Sequence, residues 1–213
     1  MVKARKVSVS KFTAAIALTC LIFIGGILIG ISITKSKTDD IANMKQQLEL
    51  ELSQLDLEDK IISDNCIDPK LLVEKLDDLS ARLTYLEAQY AKNDPKIIEL
   101  KEPYTLLEIR HYLRMKQMNE ICDSNYTLIL FFYSNDPENK DNSEKQGFVL
   151  DYLRSKYENV KIYSFDSDLN MSIIQTLKEA NQITITPSTV IDGKVYAGFH
   201  DKDELTSVIE KSQ

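Results

Sequence analysis

The first pattern that stands out along the chain is a long apolar run that no charged residue interrupts. Residues 12–34 form 23 consecutive positions without a charge. At a rise of about 1.5 Å per residue, a helix of this length spans roughly 34 Å and can cross a hydrocarbon layer of about 30 Å. The run is longer than the apolar part of a signal peptide and lacks its cleavage pattern. It predicts an uncleaved transmembrane signal anchor.

The next part, residues 35–65, has apolar side chains at helical spacing with acidic and polar residues between them. The apolar positions are Ile41, Met44, Leu48, Leu52 and Leu55. This pattern predicts a helical stalk whose apolar stripe needs a partner. The sequence leaves two partners open: the helices that follow in the same chain, or a second copy, which would make the stalk the contact of a homo-oligomer.

Residues 66–123 predict two helices that fold back on each other. The first has apolar residues at alternating spacings of four and three, a seam of about three heptads. They are Leu72, Leu76, Leu79, Leu83, Leu86 and Tyr90. The first helix ends at Asp94-Pro95, because the residue before a proline is disfavoured in the helical conformation. The second continues to Cys122 with a kink or restart expected at Pro103. We expect packing within the hairpin rather than an intermolecular coiled coil.

Two cysteines mark the open end of this predicted hairpin. Cys66 precedes the outgoing helix, Cys122 ends the returning one, and the turn at Asp94 lies midway between them. Helices of equal length therefore bring both cysteines to the same end. In an oxidising compartment this arrangement predicts a structural disulfide. A redox-active pair is the alternative, although these residues lack the adjacent dithiol of a Cys-x-x-Cys motif.

Residues 124–213 change to alternating strands and helices. The predicted order is strand, helix, strand, helix, strand, strand, helix, at 126–133, 144–157, 160–166, 170–181, 187–191, 194–199 and 201–211. A helix joins the first two strands, which makes them parallel. Asp192-Gly193 predicts a tight turn that makes the last two antiparallel. The sequence therefore predicts an α/β domain of the form βαβ-ββα, preceded by a transmembrane helix and an α-helical stalk and hairpin.

This order of elements, with Thr186-Pro187 directly before the last hairpin, resembles the thioredoxin-like superfamily. The resemblance covers about residues 124–213. It implies a thioredoxin-like fold with a cis-proline at Pro187. It also implies that the backbone at Thr186, Pro187 and Ser188 pairs with an extended polypeptide or with a redox partner protein.

The chain departs from the family where the redox sulfurs are expected. Counting back from Val149-Leu150-Asp151 places the two sulfur positions at Lys140 and Ser143, and counting forward from the first strand places them nearer Asp136. Neither register contains a cysteine. Because a thiolate is the nucleophile in thiol–disulfide exchange, we expect no catalytic residues in this domain. No cofactor and no metal site are predicted, since the acidic loop does not follow the EF-hand pattern.

The distribution of charged residues indicates how the chain is oriented in a membrane and which partners it can bind. All 33 acidic residues follow the apolar run, and four of the 26 basic residues precede it, leaving 22 basic against 33 acidic residues, a formal charge of −11. An acidic domain argues against nucleic-acid binding, which needs a basic surface. The basic residues in 1–11 favour a cytoplasmic N-terminus and an extracytoplasmic C-terminal domain.

The sequence thus predicts a single-pass, membrane-anchored thioredoxin-like protein without its own dithiol. Its predicted role is to bind or scaffold a peptide or protein. The alternative is a thiol–disulfide oxidoreductase of the cell envelope that acts through Cys66 and Cys122 or uses a partner's dithiol. A third hypothesis is purely structural, with an assembling stalk capped by the domain.

Overall fold

The structure, a computed structural model, describes residues 9–62, 66, 70–90, 92, 94–122 and 124–212. The chain divides into two units, Met1–Asn43 and Met44–Gln213. Helix α1 has the bounds Val9–Ile62. Within the described residues, one helical segment, Phe12–Ser32, is long and apolar enough to cross a membrane by length and composition. Its large apolar side chains are exposed.

The second unit is built on a mixed four-stranded sheet in the order β2-β1-β3-β4. The strands are β1 (Thr127–Tyr133), β2 (Val160–Asp166), β3 (Ser188–Ile191) and β4 (Lys194–Ala197). β1 is parallel to β2 and antiparallel to β3, and β3 is antiparallel to β4. The central strand β1 is a continuous apolar run because both of its faces are covered. The α/β class and a mixed sheet, predicted from the sequence, are confirmed.

Helices cover the two faces of this sheet. Alternate side chains of β1 point to opposite faces. Ile129 packs with α4 (Lys140–Lys156) and α6 (Lys202–Ser212), and Phe132 packs with α3 (Pro95–Ile121) and α5 (Ser172–Ala180). The helix α3, which the sequence assigns to the hairpin, therefore also supplies the core beneath the sheet, through Ile109, Met115 and Met118.

The stalk part of α1 that belongs to the second unit packs beside α2 (Lys70–Gln89) and α3. Its apolar residues Met44, Leu48 and Leu55 are buried. Four seam leucines of α2 are buried as well, namely Leu76, Leu79, Leu83 and Leu86. Ion pairs join the helices: Lys75 of α2 contacts Glu51 of α1 at 2.9 Å, and Lys45 of α1 contacts Glu99 of α3 at 3.4 Å. Three apolar residues of the stalk, Met44, Leu48 and Leu55, are thus covered within the chain. A homo-oligomer through the stalk stays a prediction.

The helices α4 and α3 differ from the expected ones. The helix α4 begins at Lys140, a turn earlier than expected, because the N–H groups of Asn139 and Lys140 already bond to the carbonyl of Asp136. The helix α3 continues through Pro103 without a restart. The residues on either side, Leu100 and Leu107, are fully buried, and their packing offsets the cost of an internal proline.

Some predicted features lie outside the described residues. They are residues 1–8 of the basic N-terminus, and residues 63–65 and 67–69 between the stalk and the hairpin. The turn between α2 and α3 is described at Asp94, whose side chain accepts a hydrogen bond from the Lys96 N–H at 2.9 Å. This contact caps α3 in the manner expected of an aspartate before a helix that begins with proline.

Candidate functional site

The predicted peptide-binding residues lie where β3 begins. The Thr186–Pro187 peptide bond is cis, and Pro187 is buried. The carbonyl of Pro187 accepts a hydrogen bond from the Gly198 N–H at 2.8 Å, which extends the β3–β4 ladder by one residue. Gly198 has a φ of +85°, a conformation that favours glycine. The Ser188 hydroxyl donates to the carbonyl of Ile185 at 2.8 Å and so fixes the turn from inside.

The two predicted sulfur positions lie at the start of α4. Lys140 is the first residue of the helix and is exposed. Ser143 is buried, and its Oγ accepts a hydrogen bond from the Ser134 N–H at 3.2 Å, which ties the helix to the end of β1. An alkyl ammonium in water and a hydroxyl engaged with the backbone offer no redox chemistry. This junction is a structural corner.

The sheet brings the Pro187 turn and the junction between β1 and α4 to the same end of β1. Phe132 pairs with Ser188 in the antiparallel β1–β3 ladder, so the next residues outward, Tyr133 and Pro187, lie side by side. A further link joins α4 to the loop after β4, since the buried Gln146 side chain accepts a hydrogen bond from the His200 N–H at 2.8 Å.

The cysteine pair lies at the other end of β1. The structure joins Cys66 and Cys122 in a disulfide with Cα atoms 5.6 Å apart, the proximity that the hairpin predicted. The end of α3 is held beside the beginning of β1, because Asn119 exchanges two hydrogen bonds with Tyr126. The seven residues of β1 then place about 20 Å of strand between this end and Pro187.

A buried charge cluster, which sequence reasoning missed, lies beside the β1–α4 loop. Lys101 of α3 is 3% exposed, and its ammonium lies 2.9 Å from Glu87 of α2 and 2.8 Å from Asp166 at the end of β2. Asn135 donates a further hydrogen bond to Asp166 at 2.8 Å. Burial lowers the pKa of Lys101, but the carboxylates of Asp166 and Glu87 outweigh it and raise the pKa overall. Lys101 is therefore a fixed cation.

Asp168 holds the same loop from the other side. Its carboxylate accepts hydrogen bonds from the Ser134 hydroxyl at 2.9 Å and from the Asn135 N–H at 2.7 Å. Its own N–H donates to Asp166 at 3.0 Å. Asp168 therefore stabilises the turn that follows β2 and the loop that follows β1. Asp166, by contrast, is buried and anchors the helical layer to the sheet through Lys101.

Glu108 is a buried carboxyl with one unused oxygen. The residue is 5% exposed, and its Oε1 accepts a hydrogen bond from the Ser164 N–H at 3.1 Å. The Oε2 atom has no hydrogen-bond partner among the described residues. Burial raises the pKa of Glu108 to about 8, against the opposing effects of the Ser164 N–H and Arg154. At neutral pH the group is therefore mostly a neutral acid.

Glu108 should make the stability of the fold depend on pH. Its folded pKa of about 8 exceeds the ordinary value of 4.5. Between these two values the unfolded chain loses a proton that the folded chain keeps, so the free energy of unfolding falls as pH rises, by up to about 1.4 kcal/mol per pH unit. We expect Glu108→Gln to remove this contribution. Urea unfolding of both full-length proteins in non-ionic detergent at pH 5.5, 6.5 and 7.5 measures it, and parallel pH profiles would contradict it.

A cavity of about 530 Å³ lies between the helical layer and the sheet. Residues of α2 and α3 form one wall, including Ser80, Tyr104 and Glu108, and residues of β1, β2 and α4 form the other. Among the described residues, no group of three or more histidines, cysteines, aspartates or glutamates is placed to hold a metal ion. The cavity has the size of small-molecule sites in proteins.

The sequence did contain a signal for part of this cluster. Lys101, Glu108 and His111 occupy the same helical stripe of α3 as the buried Ile97 and Leu100, and polar groups on an apolar stripe are buried with it. His111, for example, hydrogen-bonds the Tyr163 hydroxyl at 2.9 Å in the core. The partners of Lys101 and Glu108 on other elements leave no comparable mark in the sequence.

The fold is thioredoxin-like. This follows from the strand order, from the parallel β1–β2 pair joined by α4, and from the β3–β4 hairpin before α6. No protein-family model matches the sequence, and no curated protein matches it significantly. Among solved structures, a crystal structure of chloroplastic thioredoxin z is similar, with 18% identity, over 46% of this chain and 88% of that one. Its TM-score is 0.36, so the match adds no weight to the strand order.

Proposed function

We propose that the protein is a membrane-anchored thioredoxin-like module that binds an extended polypeptide beside Pro187 without a dithiol of its own. The observation that carries this proposal is a pair of exposed apolar side chains at the Pro187 turn. Ile185 is 53% exposed and Phe199 is 42% exposed. They flank the turn, because Phe199 follows Gly198, whose N–H bonds to the carbonyl of Pro187. Exposed apolar side chains on both sides of one turn support a binding surface there.

Main-chain pairing supports the same proposal. The strand β4 is at the edge of the sheet, and its residues Lys194, Val195 and Ala197 are exposed. An exposed sheet edge can pair with an extended peptide through backbone hydrogen bonds, while apolar side chains nearby give selectivity. Such binding needs no nucleophile, which agrees with the lack of cysteine at Lys140 and Ser143.

The alternative proposal is a thiol–disulfide oxidoreductase that acts through Cys66 and Cys122 or through a partner's dithiol. It is weakened by the position of the disulfide, which lies at the opposite end of β1 from Pro187.

For the orientation in the membrane, we propose a cytoplasmic N-terminus and an extracytoplasmic C-terminal domain. This orientation rests on the basic residues that precede the segment Phe12–Ser32.

Substitution of the two exposed apolar residues tests the binding proposal. Peptides selected from a random display library on the full-length protein in nanodiscs should lose about tenfold or more in affinity on Ile185→Asp/Phe199→Asp, because a charge replaces each apolar contact. Fluorescence anisotropy with labelled peptides measures the dissociation constants. Tyr85→Asp, on an exposed apolar residue of α2, is the matched control and should leave the affinities unchanged.

The outcomes separate the two proposals. Peptides that bind the double variant as tightly as the parent protein would place the binding surface elsewhere. An insulin-reduction assay covers the alternative, with Cys66→Ser/Cys122→Ser as its control. Turnover by the parent protein that disappears in the cysteine variant would replace the binding module with an oxidoreductase.

A further inference from the structure

We propose that the cavity between the helical layer and the sheet is a binding site for a primary alkylammonium group, with Glu108 as its anion. The proposal stands on the cavity, which Glu108 lines, and on the buried Oε2 atom of Glu108, which has no hydrogen-bond partner among the described residues. It does not depend on peptide binding at Pro187, because neither Pro187 nor the exposed Ile185 and Phe199 line the cavity.

The charge of the cavity favours a cation. Seven acidic residues line it against four lysines and arginines. All four basic side chains are engaged: Lys92 with Glu144, Lys101 with Glu87 and Asp166, Arg154 with Asp77 and Asp151, and Lys161 with the carbonyl of Glu158. The same contacts use five of the seven acidic side chains, so Glu108 and Glu158 are the carboxyl groups of the lining that lie outside these pairs. A carboxyl group without a basic partner favours a cation over an anion as ligand.

The single free oxygen of Glu108 selects the type of cation. Its Oε1 already accepts a hydrogen bond from the Ser164 N–H, which makes bidentate pairing of the carboxylate with a guanidinium less favourable. An ammonium needs only one oxygen, and Oε2 has no hydrogen-bond partner in the described part of the chain. An ammonium at that point also lies in a cavity lined by Phe131, Tyr104 and Tyr133, whose ring faces attract cations.

The rest of the cavity fits a short hydrocarbon chain. Apolar side chains of Leu76, Leu83 and Ile162 line it beside the polar groups. Its volume of about 530 Å³ is far larger than a metal ion requires and is suited to a small organic molecule. The ligand is therefore a small linear amine, or the lysine side chain of a partner protein inserted from outside.

Binding should change the protonation of Glu108. Arg154 of α4 and the hydroxyls of Tyr104, Tyr133 and Tyr163 face this carboxyl, and the pKa of each tyrosine is raised away from neutral pH. Because an ammonium pairs with the ionised acid, binding at pH 6.5 should release close to one proton. The apparent affinity should then rise by up to about tenfold per pH unit below pH 8 and level off above it.

Cadaverine (1,5-diaminopentane) and its neutral analogue 1,5-pentanediol test the site on the full-length protein in non-ionic detergent. Isothermal titration calorimetry in buffers of different ionisation enthalpy gives both affinity and proton release. We expect cadaverine to bind at least tenfold more tightly than the diol. Glu108→Gln should weaken cadaverine binding by roughly 10- to 100-fold, as expected for a lost hydrogen bond to a charged group. Glu144→Gln, at the partly exposed rim, should weaken it less than threefold.

Three outcomes would overturn the proposed ammonium site. Equal affinities for the diamine and the diol, or cadaverine binding by the parent protein without proton release, would overturn the proposal even if Glu108→Gln failed to fold. Equal losses in the Glu108 and Glu144 variants would overturn it as well. N-acetyl-lysine N-methylamide distinguishes the two sources: binding as tight as that of cadaverine supports a partner's lysine, and binding of cadaverine alone supports a free amine.

Discussion

The variant Lys101→Met is expected to lose about 3–5 kcal/mol of folding free energy, the usual cost of removing one partner from a buried ion pair. Methionine fills the volume of the lysine stem but supplies no charge. Asp166 would then keep a hydrogen bond from Asn135 while its negative charge stayed buried at the end of β2 without a cation. Because the same ammonium holds Glu87, the loss affects the contact of α2 and α3 with the sheet.

Urea unfolding of the full-length protein in non-ionic detergent, followed by circular dichroism, measures this loss. Lys45→Met is the matched control, because Lys45 and Glu99 form an exposed pair between α1 and α3 and should contribute no more than about 1 kcal/mol. The double variant Lys101→Met/Asp166→Asn should recover part of the stability, since it removes the uncompensated charge. Equal stability of the two lysine variants would contradict the prediction, because it would mean that water reaches Asp166 and Glu87 and compensates for the missing ammonium.

Removal of the disulfide has the second largest expected effect. The sequence separation of Cys66 and Cys122 is 56 residues. In the chain-entropy account, closing a loop of this size stabilises the fold by about 4 kcal/mol, because the crosslink restricts the unfolded chain. We expect Cys66→Ser/Cys122→Ser to lower the free energy of unfolding by about that amount.

The same unfolding experiment measures the effect, and reduction of the parent protein with dithiothreitol should give the same shift as the double variant. Cys20→Ser is the control within the chain, because Cys20 is free and lies in the apolar segment. It should change the stability by less than about 0.5 kcal/mol. A double variant as stable as the parent would mean that helix packing alone holds the two ends together.

Several parts of the fold could be predicted because their signals are local. Each of these signals depends on residues that are close together in the sequence. Examples are the apolar run Phe12–Ser32, the leucine seam of α2 and the Asp192-Gly193 turn. Both turn residues have positive φ, as such a turn requires. The pairing of Cys66 with Cys122 spans a long loop, yet it followed from equal helix lengths on either side of Asp94. The early start of α4 was missed, because it depends on backbone hydrogen bonds to Asp136.

The site could be predicted only in part, for a physical reason. The lack of sulfur at Lys140 and Ser143 is a property of composition, and the position of Pro187 follows from the order of strands. The exposure of Ile185 and Phe199 could not be read from the sequence, since it depends on whether another part of the chain packs over the Pro187 turn. Their role in binding stays a prediction until the aspartate variants are measured.

By itself, the sequence determined the apolar segment that is long enough to cross a membrane, the kinds and order of most elements, and the lack of a thiol after β1, because composition and periodicity act over short distances. The tertiary structure alone decided which charges meet in the interior. Lys101 and Asp166 are 65 residues apart in the chain. Their ion pair, and the burial that keeps Glu108 protonated, arise when α3 packs on the sheet, because water is excluded there and each buried charge needs a partner from another element.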